Sequence, residues 1–275
     1  MNDVAHQSVT TVTIAGIDIE LFERGSGAPI LFLHGAGGVR PDDPFLALLA
    51  QGRRVVVPSH PGFGRSALPD WLDSVDDIAH VHLELLDHLG LREVDLIGTS
   101  VGGWIAAEMA TKVPERFPHV VLIAPVGVKT GPVDKLDIPE MFATPQDKLQ
   151  RLLFHDPEKF RPDLKALSDE QLAIMARNRE TLALLAWEPY MHNPKLIHRL
   201  HRIKAPTLFL RGESDGLVSA DYLERYARLV PGSRRVTIAQ AGHVPQLEQS
   251  AQFNEGVMRF LAGEAMKSRD AAARQ

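Results

Sequence analysis

VDLIGTSVGGWIAAEMA, at positions 94–110, is the stretch that decides the fold of this 275-residue chain. Its centre is the turn GTSVG at 98–102, with an apolar segment before it and an Ala-rich apolar segment after it. This pattern predicts a buried strand, a sharp turn and a helix. Because such a turn crowds the backbone, it needs small residues on both sides of Ser100. The Ser100 hydroxyl is then expected at the end of the strand, beside a helix N-terminus that favours negative charge.

A serine is a useful nucleophile only when a base takes its proton and a third group orients that base. The C-terminal part of the chain offers both groups. An apolar strand at 205–210 leads to a loop that carries Asp215, and a strand at 235–238 leads to a loop that carries His243. Because loops that follow parallel strands share one edge of a sheet, Ser100, Asp215 and His243 are expected to converge.

Each of these residues also has a plainer interpretation. Ser100 could be an ordinary turn serine, and His243 could be a core histidine with a satisfied hydrogen bond. Glu213 competes with Asp215 for the role of the acid, whereas the strand at 120–123 is followed by APVG, without a carboxylate nearby. The joint occurrence of a serine, an acid and a histidine, each after a strand, favours the catalytic interpretation, with Asp215 as the acid.

Five segments resemble motifs of the α/β-hydrolase superfamily, in the order in which that family has them. They are LFLHGAGG at 31–38, PGFGRS at 61–66, GTSVG at 98–102, GESD at 212–215 and GHVPQLE at 242–248. The resemblance covers nearly the whole chain. It implies a mainly parallel, eight-stranded α/β sheet flanked by helices. It also implies an oxyanion hole made by the backbone N–H groups of Ala36 and Val101.

The alternation of strands and helices stops between 127 and 203, where only helical signals occur. The break falls where the family has an all-helical cap over its active site. The resemblance therefore implies an α/β core at 1–126 and 204–275, interrupted by a helical cap at 127–203. The plainer alternative is a helical layer that only packs against the core.

Trp187 and Tyr190 are large enough to line a substrate pocket in this insertion, although packing against the core explains them equally well. Capping residues predict where its helices begin. The predicted starts are Thr144-Pro145, Ser168 with its capping-box partner Gln171, and Asn193-Pro194.

The histidines outside the triad predict no metal site. His80 and His82 would lie about 200° apart around a helix and so face different sides. His198 and His201 could share a helix face, but no third ligand accompanies them. His34 lies in the segment that resembles the oxyanion loop, and we expect it to support that loop rather than to react.

Composition excludes several classes of partner. The net charge is −5 and no basic block occurs, so nucleic acid is not expected as a partner. The chain has no cysteine, which excludes disulfides and thiolate metal sites. No apolar run reaches the length of about 18 residues that a membrane span needs. The first eight residues lack the apolar core of a signal peptide, so a cytoplasmic location is expected.

The expected chemistry is acyl transfer to water through an acyl-enzyme on Ser100, with His243 as the base and Asp215 as its orienting group. This mechanism requires no cofactor and no metal. The predicted substrate is a small carboxylic ester, and the predicted assembly is a monomer or a homodimer. A serine nucleophile argues against the dehalogenases and epoxide hydrolases of this fold, which use aspartate.

Two alternatives stay open. The meta-cleavage carbon–carbon hydrolases are similar in cap length and in the sequence LHRI at 200–203. However, the segment 34–38 lacks the Pro-Gly of their oxyanion motif, and Val244 stands where they tend to carry Trp. A ligand-binding protein of low turnover on the same fold is the other alternative, because an intact triad does not exclude it.

Overall fold

The computed structural model describes residues 7–264, so the outer ends of the two predicted core segments, 1–6 and 265–275, lie outside it. Within residues 7–264, eight strands form one sheet in the order β1-β2-β4-β3-β5-β6-β7-β8. The strands are β1 (Gln7–Ile14), β2 (Ile17–Arg24), β3 (Ala28–Leu33), β4 (Arg53–Pro58), β5 (Asp95–Thr99), β6 (Val120–Ile123), β7 (Thr207–Gly212) and β8 (Arg234–Ile238). Only the β1–β2 and β2–β4 pairs are antiparallel. The predicted mainly parallel, eight-stranded sheet is confirmed.

Helices cover both faces of this sheet. In the described part of the chain they are α1 (Pro44–Leu49), α2 (Val75–His88), α3 (Val101–Lys112), α4 (Gln146–Leu153), α5 (Pro157–Phe160), α6 (Asp169–Ala186), α7 (Ala220–Arg228), α8 (Pro245–Glu248) and α9 (Ser250–Leu261). Strand β3 shows why both faces are covered. Its side chains alternate, so Ile30 and Phe32 join the core with α1 and α9, whereas Leu31 and Leu33 join the core with α2 and α3. A strand buried on both faces needs the continuous apolar run that the sequence shows.

The insertion at 127–203 contains α4, α5, α6 and two 3₁₀ turns, Leu196–His198 and Leu200–Arg202. Its β pairing is one isolated bridge between Gly127 and His192. The predicted capping box of Ser168 and Gln171 is present at the start of α6. The division into a core and a cap stays a prediction.

Two predicted helix starts in the insertion are wrong. The first helix begins at Gln146 with Pro145 in the N-cap position, and the Thr144 hydroxyl donates to the carbonyl of Glu140. The third predicted helix is a pair of 3₁₀ turns, with Leu196 and Ile203 buried as expected. Its backbone N–H groups donate to carbonyls three residues earlier, for example from Ile203 to Leu200 at 3.1 Å. The spacing of apolar residues therefore predicted the buried face of this segment but not its type of helix.

Polar contacts hold α6 against the loop at 61–66. The Thr181 hydroxyl donates to the Gly62 carbonyl at 2.8 Å. The Arg177 guanidinium donates to the Ser66 carbonyl at 2.6 Å. The insertion therefore lies on a loop that follows the sheet edge where the predicted site residues are found.

No helix in the described range has both the length and the apolar character that a bilayer-spanning segment needs.

The turn after β5 is tightly packed, and this generates a prediction about stability. A Cβ atom on Gly98 would collide with the carbonyl oxygen of Gly102, which is backbone and cannot move aside. Gly98→Ala is therefore expected to lower the free energy of unfolding by about 3 kcal/mol or more. In contrast, a Cβ on Gly256 in α9 would meet no atom within 4 Å. Gly256→Ala should raise the free energy of unfolding by about 0.5–1 kcal/mol, because alanine is the better helix former.

Urea denaturation of both variants beside the unaltered protein checks this prediction. Equal stability of Gly98→Ala and the unaltered protein would contradict the close packing of this turn.

Candidate active site

Ser100 lies between β5 and α3 in a conformation that is rare for a residue with a side chain, at φ 55° and ψ −118°. The end of the neighbouring strand β6 holds this conformation. The Ser100 N–H donates to the Ile123 carbonyl at 2.8 Å, and the Ser100 carbonyl accepts from the Val126 N–H at 3.3 Å. The predicted sharp turn is therefore present, and its strained backbone is fixed by hydrogen bonds to the next strand.

The three residues predicted to converge are in hydrogen-bond contact. His243 Nε2 lies 2.9 Å from Ser100 Oγ, and His243 Nδ1 lies 3.0 Å from Asp215 Oδ2. Asp215 and His243 are 6% and 3% exposed. Because a carboxylate only accepts, Nδ1 carries the proton and Nε2 is free to accept the serine proton. This is the arrangement that a general base requires.

Asp215 rather than Glu213 faces the imidazole. One Asp215 oxygen also accepts the backbone N–H groups of Leu217 and Val218, both at 2.9 Å, so the carboxylate is fixed in orientation. The Glu213 carboxylate instead accepts from the N–H of Gln240 at 3.4 Å. The geometry therefore favours the predicted acid over its competitor.

The end of α4 holds the loops of both triad partners, which the sequence did not predict. The Leu153 carbonyl accepts the N–H of His243 at 2.7 Å, and the Leu152 carbonyl accepts the N–H of Gly216 at 2.9 Å. Every residue has a carbonyl, so no side-chain pattern signals this role. The base and the acid are thus positioned in part by the insertion.

Glu248 is a second positioning group that the sequence did not predict, although it ends the motif GHVPQLE. Its carboxylate accepts the N–H of Gly242, which precedes the histidine, and the N–H of His155 at 2.8 Å. It therefore joins the histidine loop to the segment after α4.

The predicted oxyanion donors lie beside the nucleophile. A Cβ atom on Gly35 would be 3.3 Å from the Cβ of Ser100, so this loop packs against the serine. Ala36 follows, and the loop turns back through a hydrogen bond from Gly38 N–H to the Gly35 carbonyl at 3.0 Å. Val101 opens α3, where the first N–H groups have no partner inside the helix. Oxyanion binding by Ala36 and Val101 stays a prediction.

The two predicted pocket residues contact one segment of the insertion. The Trp187 side chain is 53% exposed, and its ring centroid lies 5.3 Å from that of Phe142. The Tyr190 hydroxyl accepts from Met141 N–H at 2.9 Å and donates to the Pro139 carbonyl at 2.8 Å. Both residues therefore brace the segment at 139–142, and their role in a substrate pocket stays a prediction.

Asn178 also contacts two loops near the site, and no sequence motif indicated this role. Its Oδ1 accepts the N–H of Gly64 at 2.9 Å, and its Nδ2 lies 3.3 Å from the position of a Cβ on Gly38, in the oxyanion loop. The residue is 4% exposed. The sequence did carry a sign of this role, because Asn178 is a polar residue on the apolar face of α6, near Leu182 and Leu185.

Three histidines meet behind the oxyanion loop. The rings of His34 and His60 stack with centroids 3.9 Å apart, and His60 Nδ1 lies 2.7 Å from His82 Nε2. Burial lowers the pKa of His34 to about 4 and that of His82 to about 3, and it places the pKa of His60 well below its usual value.

His80 faces solvent, so the predicted opposite orientation of His80 and His82 is confirmed. In the described range, no group of three or more potential ligands could hold a metal ion.

A family model described as "Alpha/beta hydrolase family" matches residues 30–255. The chain therefore belongs to the α/β hydrolase family, and the resemblance seen in its sequence is confirmed. It is 29% identical over 265 residues to a 2-hydroxymuconate semialdehyde hydrolase of Pseudomonas putida, and the match covers 91% of this chain and 93% of that protein.

Two further comparisons extend this likeness. A 2-hydroxy-6-oxo-2,4-heptadienoate hydrolase of Pseudomonas putida is 28% identical, over 96% of this chain and 100% of that protein. The crystal structure of a membrane phospholipase A has a TM-score of 0.78 and 27% identity, with 94% of this chain and 86% of that chain covered. Proteins with different named substrates thus share this fold, as is usual for a common fold.

The choice of acid generates a prediction about activity. Asp215→Asn is expected to lower turnover of a short-chain aryl ester by about 10⁴-fold, because an amide no longer holds the imidazole in the required tautomer. Glu213→Gln, the matched control in the same loop, should retain most of the activity. If Glu213→Gln loses more than Asp215→Asn, the acid has been assigned to the wrong residue.

The buried histidines generate a prediction about stability against pH. In the folded protein these rings stay neutral at pH values where the unfolded chain binds protons, below about pH 6.5. The free energy of unfolding is therefore expected to be highest above about pH 6.5 and to fall as the pH drops toward about 4, where His34 takes its proton.

Urea denaturation between about pH 7.5 and 5 measures this decline. Glutamine cannot titrate, so in His82→Gln the free energy of unfolding should fall less steeply with decreasing pH, by the slope that uptake of about one proton on unfolding contributes. Equal declines in His82→Gln and the unaltered protein would show that His82 is not neutral in the folded state.

Proposed function

We propose that this protein is a serine hydrolase that cleaves a small carboxylic ester through an acyl-enzyme on Ser100. The observation that carries the proposal is the hydrogen-bond chain from Ser100 Oγ through His243 to Asp215, at 2.9 Å and 3.0 Å. This chain lies beside a Gly-rich loop in contact with the serine. A nucleophile, an oriented base and adjacent backbone donors are the components of acyl transfer.

Acylation begins when His243 Nε2 takes the proton of Ser100 as Oγ attacks the carbonyl carbon of the ester. The carbonyl oxygen takes the negative charge and accepts hydrogen bonds from the N–H groups of Ala36 and Val101. Asp215 stabilises the imidazolium that forms, because it is buried against Nδ1. The ester C–O bond then breaks, and the imidazolium protonates the leaving alcohol.

Deacylation repeats these steps with water. His243 Nε2 accepts a proton from a water molecule, whose oxygen attacks the acyl carbon, and the same N–H groups receive the charge. Collapse of the intermediate breaks the bond to Ser100 Oγ, which regains its proton from the imidazolium and releases the carboxylic acid. Neither step requires a metal or a cofactor. A cytoplasmic location and a monomeric or homodimeric state remain parts of this proposal.

A specific observation favours a second candidate function. The two Pseudomonas putida relatives are named as hydrolases of 2-hydroxymuconate semialdehyde and of 2-hydroxy-6-oxo-2,4-heptadienoate. The second candidate is therefore hydrolysis of a carbon–carbon bond in a 2-hydroxy-6-oxodienoate. Val244 and the segment 34–38 argue against it, because both depart from the meta-cleavage hydrolases that the chain resembles. The same triad serves either reaction, so the bond that is cleaved decides between them.

The deciding experiment offers the purified protein 4-nitrophenyl butyrate and 2-hydroxy-6-oxo-2,4-heptadienoate side by side. We expect ester turnover that Ser100→Ala abolishes, and labelling of Ser100 by a fluorophosphonate probe. Ser214→Ala, in the loop of the acid, is the matched control and should keep both the label and the turnover. Preferred cleavage of the dienoate would establish the second candidate, and labelling without turnover of either compound would favour a ligand-binding protein.

A further inference from the structure

His34, His60 and His82 come from three different parts of the fold and meet in its interior. His34 directly follows β3, His60 lies in the loop after β4, and His82 lies in α2. Their exposed fractions are 1%, 0% and 0%. The edge of Phe63 contacts the rings of His34 and His60, with centroid distances of 5.6 Å and 5.7 Å. The proposed reaction mechanism uses none of these histidines.

The hydrogen bonds around His34 allow one proton arrangement. Its Nε2 lies 3.2 Å from the backbone N–H of His60, which can only donate, so Nε2 carries no proton. The neutral ring therefore carries its proton on Nδ1. This nitrogen lies 2.7 Å from the Gly35 carbonyl and donates to it.

The same reasoning fixes the other two rings. His60 Nε2 lies 2.9 Å from the His34 carbonyl, which can only accept, so Nε2 donates and Nδ1 is the acceptor. His82 Nε2, at 2.7 Å, must then be the donor to His60 Nδ1. His82 Nδ1 then carries no proton, and it has no hydrogen-bond partner. The low pKa of each histidine, caused by burial, agrees with three neutral rings.

These bonds fix the peptide group between Gly35 and Ala36, which carries the N–H of Ala36, the predicted oxyanion donor. The Gly35 carbonyl accepts from His34 Nδ1 at 2.7 Å and from Gly38 N–H at 3.0 Å. In a trans peptide the carbonyl and the following N–H point in opposite directions. Holding the Gly35 carbonyl therefore sets the direction of the Ala36 N–H.

We propose that His34, His60 and His82 form one ordered network of positioning residues that fixes the direction of the Ala36 N–H for oxyanion binding, a role that rests on the proposed function above. His34 holds the Gly35 carbonyl. His60 holds the His34 carbonyl and so fixes the backbone from which the His34 ring extends. His82 keeps His60 in the tautomer whose Nε2 donates.

Packing alone does not explain this cluster. Buried polar rings cost stability unless their nitrogens are bonded, and apolar side chains of the same volume would avoid that cost. The bare Nδ1 of His82 is an example, since it is buried without a partner. Two of the bonds that are made end on consecutive carbonyls, those of His34 and Gly35, at the start of the oxyanion loop.

The first test is the proton arrangement itself, which needs no substrate. Long-range ¹H–¹⁵N NMR of the full chain, with ¹⁵N-labelled histidine, reports the tautomer of each ring. We expect a proton on Nδ1 of His34 and on Nε2 of His60 and His82, unchanged between about pH 5.5 and 8. A proton on Nδ1 of His60, or titration of any of the three rings within this range, would overturn the proposal.

The second test separates the hydrogen bond from the ring. His60→Gln places an amide donor near the position of Nε2, whereas His60→Met has similar length and no donor. Both variants lose the stacking on His34. We expect His60→Met to lower kcat per labelled active site about tenfold, with KM within about twofold, a smaller loss than the 10²–10³-fold cost of deleting an oxyanion donor.

His60→Gln is expected to restore kcat to within about threefold of the unaltered protein. His80→Met, on the solvent side of α2, is the matched control and should leave kcat and KM unchanged. Equal kcat losses in His60→Met and His60→Gln would overturn the proposal, because both would then reflect lost packing. If His60→Met does not fold, the NMR measurement on the unaltered protein decides.

The rate at which a fluorophosphonate labels Ser100 is the readout that distinguishes the two proposals. Phosphonylation also places negative charge in the oxyanion hole, so it responds to the Ala36 N–H without a known substrate. An unaltered protein that does not label at Ser100 refutes the proposed function, and the tautomers then decide whether the network exists. A protein that labels equally fast with glutamine and with methionine at position 60 refutes the network alone.

Discussion

The strained backbone of Ser100 is the constraint on which the rest of the structure depends. At φ 55° and ψ −118° the residue turns the chain from strand to helix, and a side chain resists this conformation. The strain persists because both backbone polar groups of Ser100 are bonded, one to Ile123 at the end of β6 and the other to Val126 in the loop that follows it. Small residues before and after the serine let the strand and the helix approach closely. The position of Ser100 therefore depends on the parallel pairing of β5 with β6.

The other two triad members depend on the same sheet but also on the insertion. Asp215 follows β7 and His243 follows β8, so the sheet brings their loops to the edge where Ser100 lies. The carbonyls of Leu152 and Leu153, at the end of α4, also bond the N–H groups of Gly216 and His243 and so help to hold both loops. A rearrangement of α4 would therefore change the position of His243. The insertion therefore contributes to the geometry in which Ser100, His243 and Asp215 meet.

The sequence predicted those features that side-chain chemistry encodes. Apolar runs with small turn residues identified the sheet, and the order of Ser100, Asp215 and His243 identified the residues in contact. Features made by the backbone left no such signal, since any residue at 152 or 153 supplies a carbonyl. Thr144 shows a related limit, because its hydroxyl bonds to the Glu140 carbonyl instead of capping the helix that its type suggested.

The oxyanion loop poses a different physical problem from the nucleophile. Three of the four residues at 35–38 are glycine, which allows close approach to Ser100 but gives the loop little intrinsic order. Oxyanion donors accelerate a reaction only if they already point to the developing charge, because reorientation would consume the gain. The bond from Gly38 N–H to the Gly35 carbonyl gives some of this order, and the bonds from His34 to the Gly35 carbonyl and from His60 to the His34 carbonyl add to it. Neutral rings suit this task, since a proton on His34 Nε2 would break its bond to the backbone of His60.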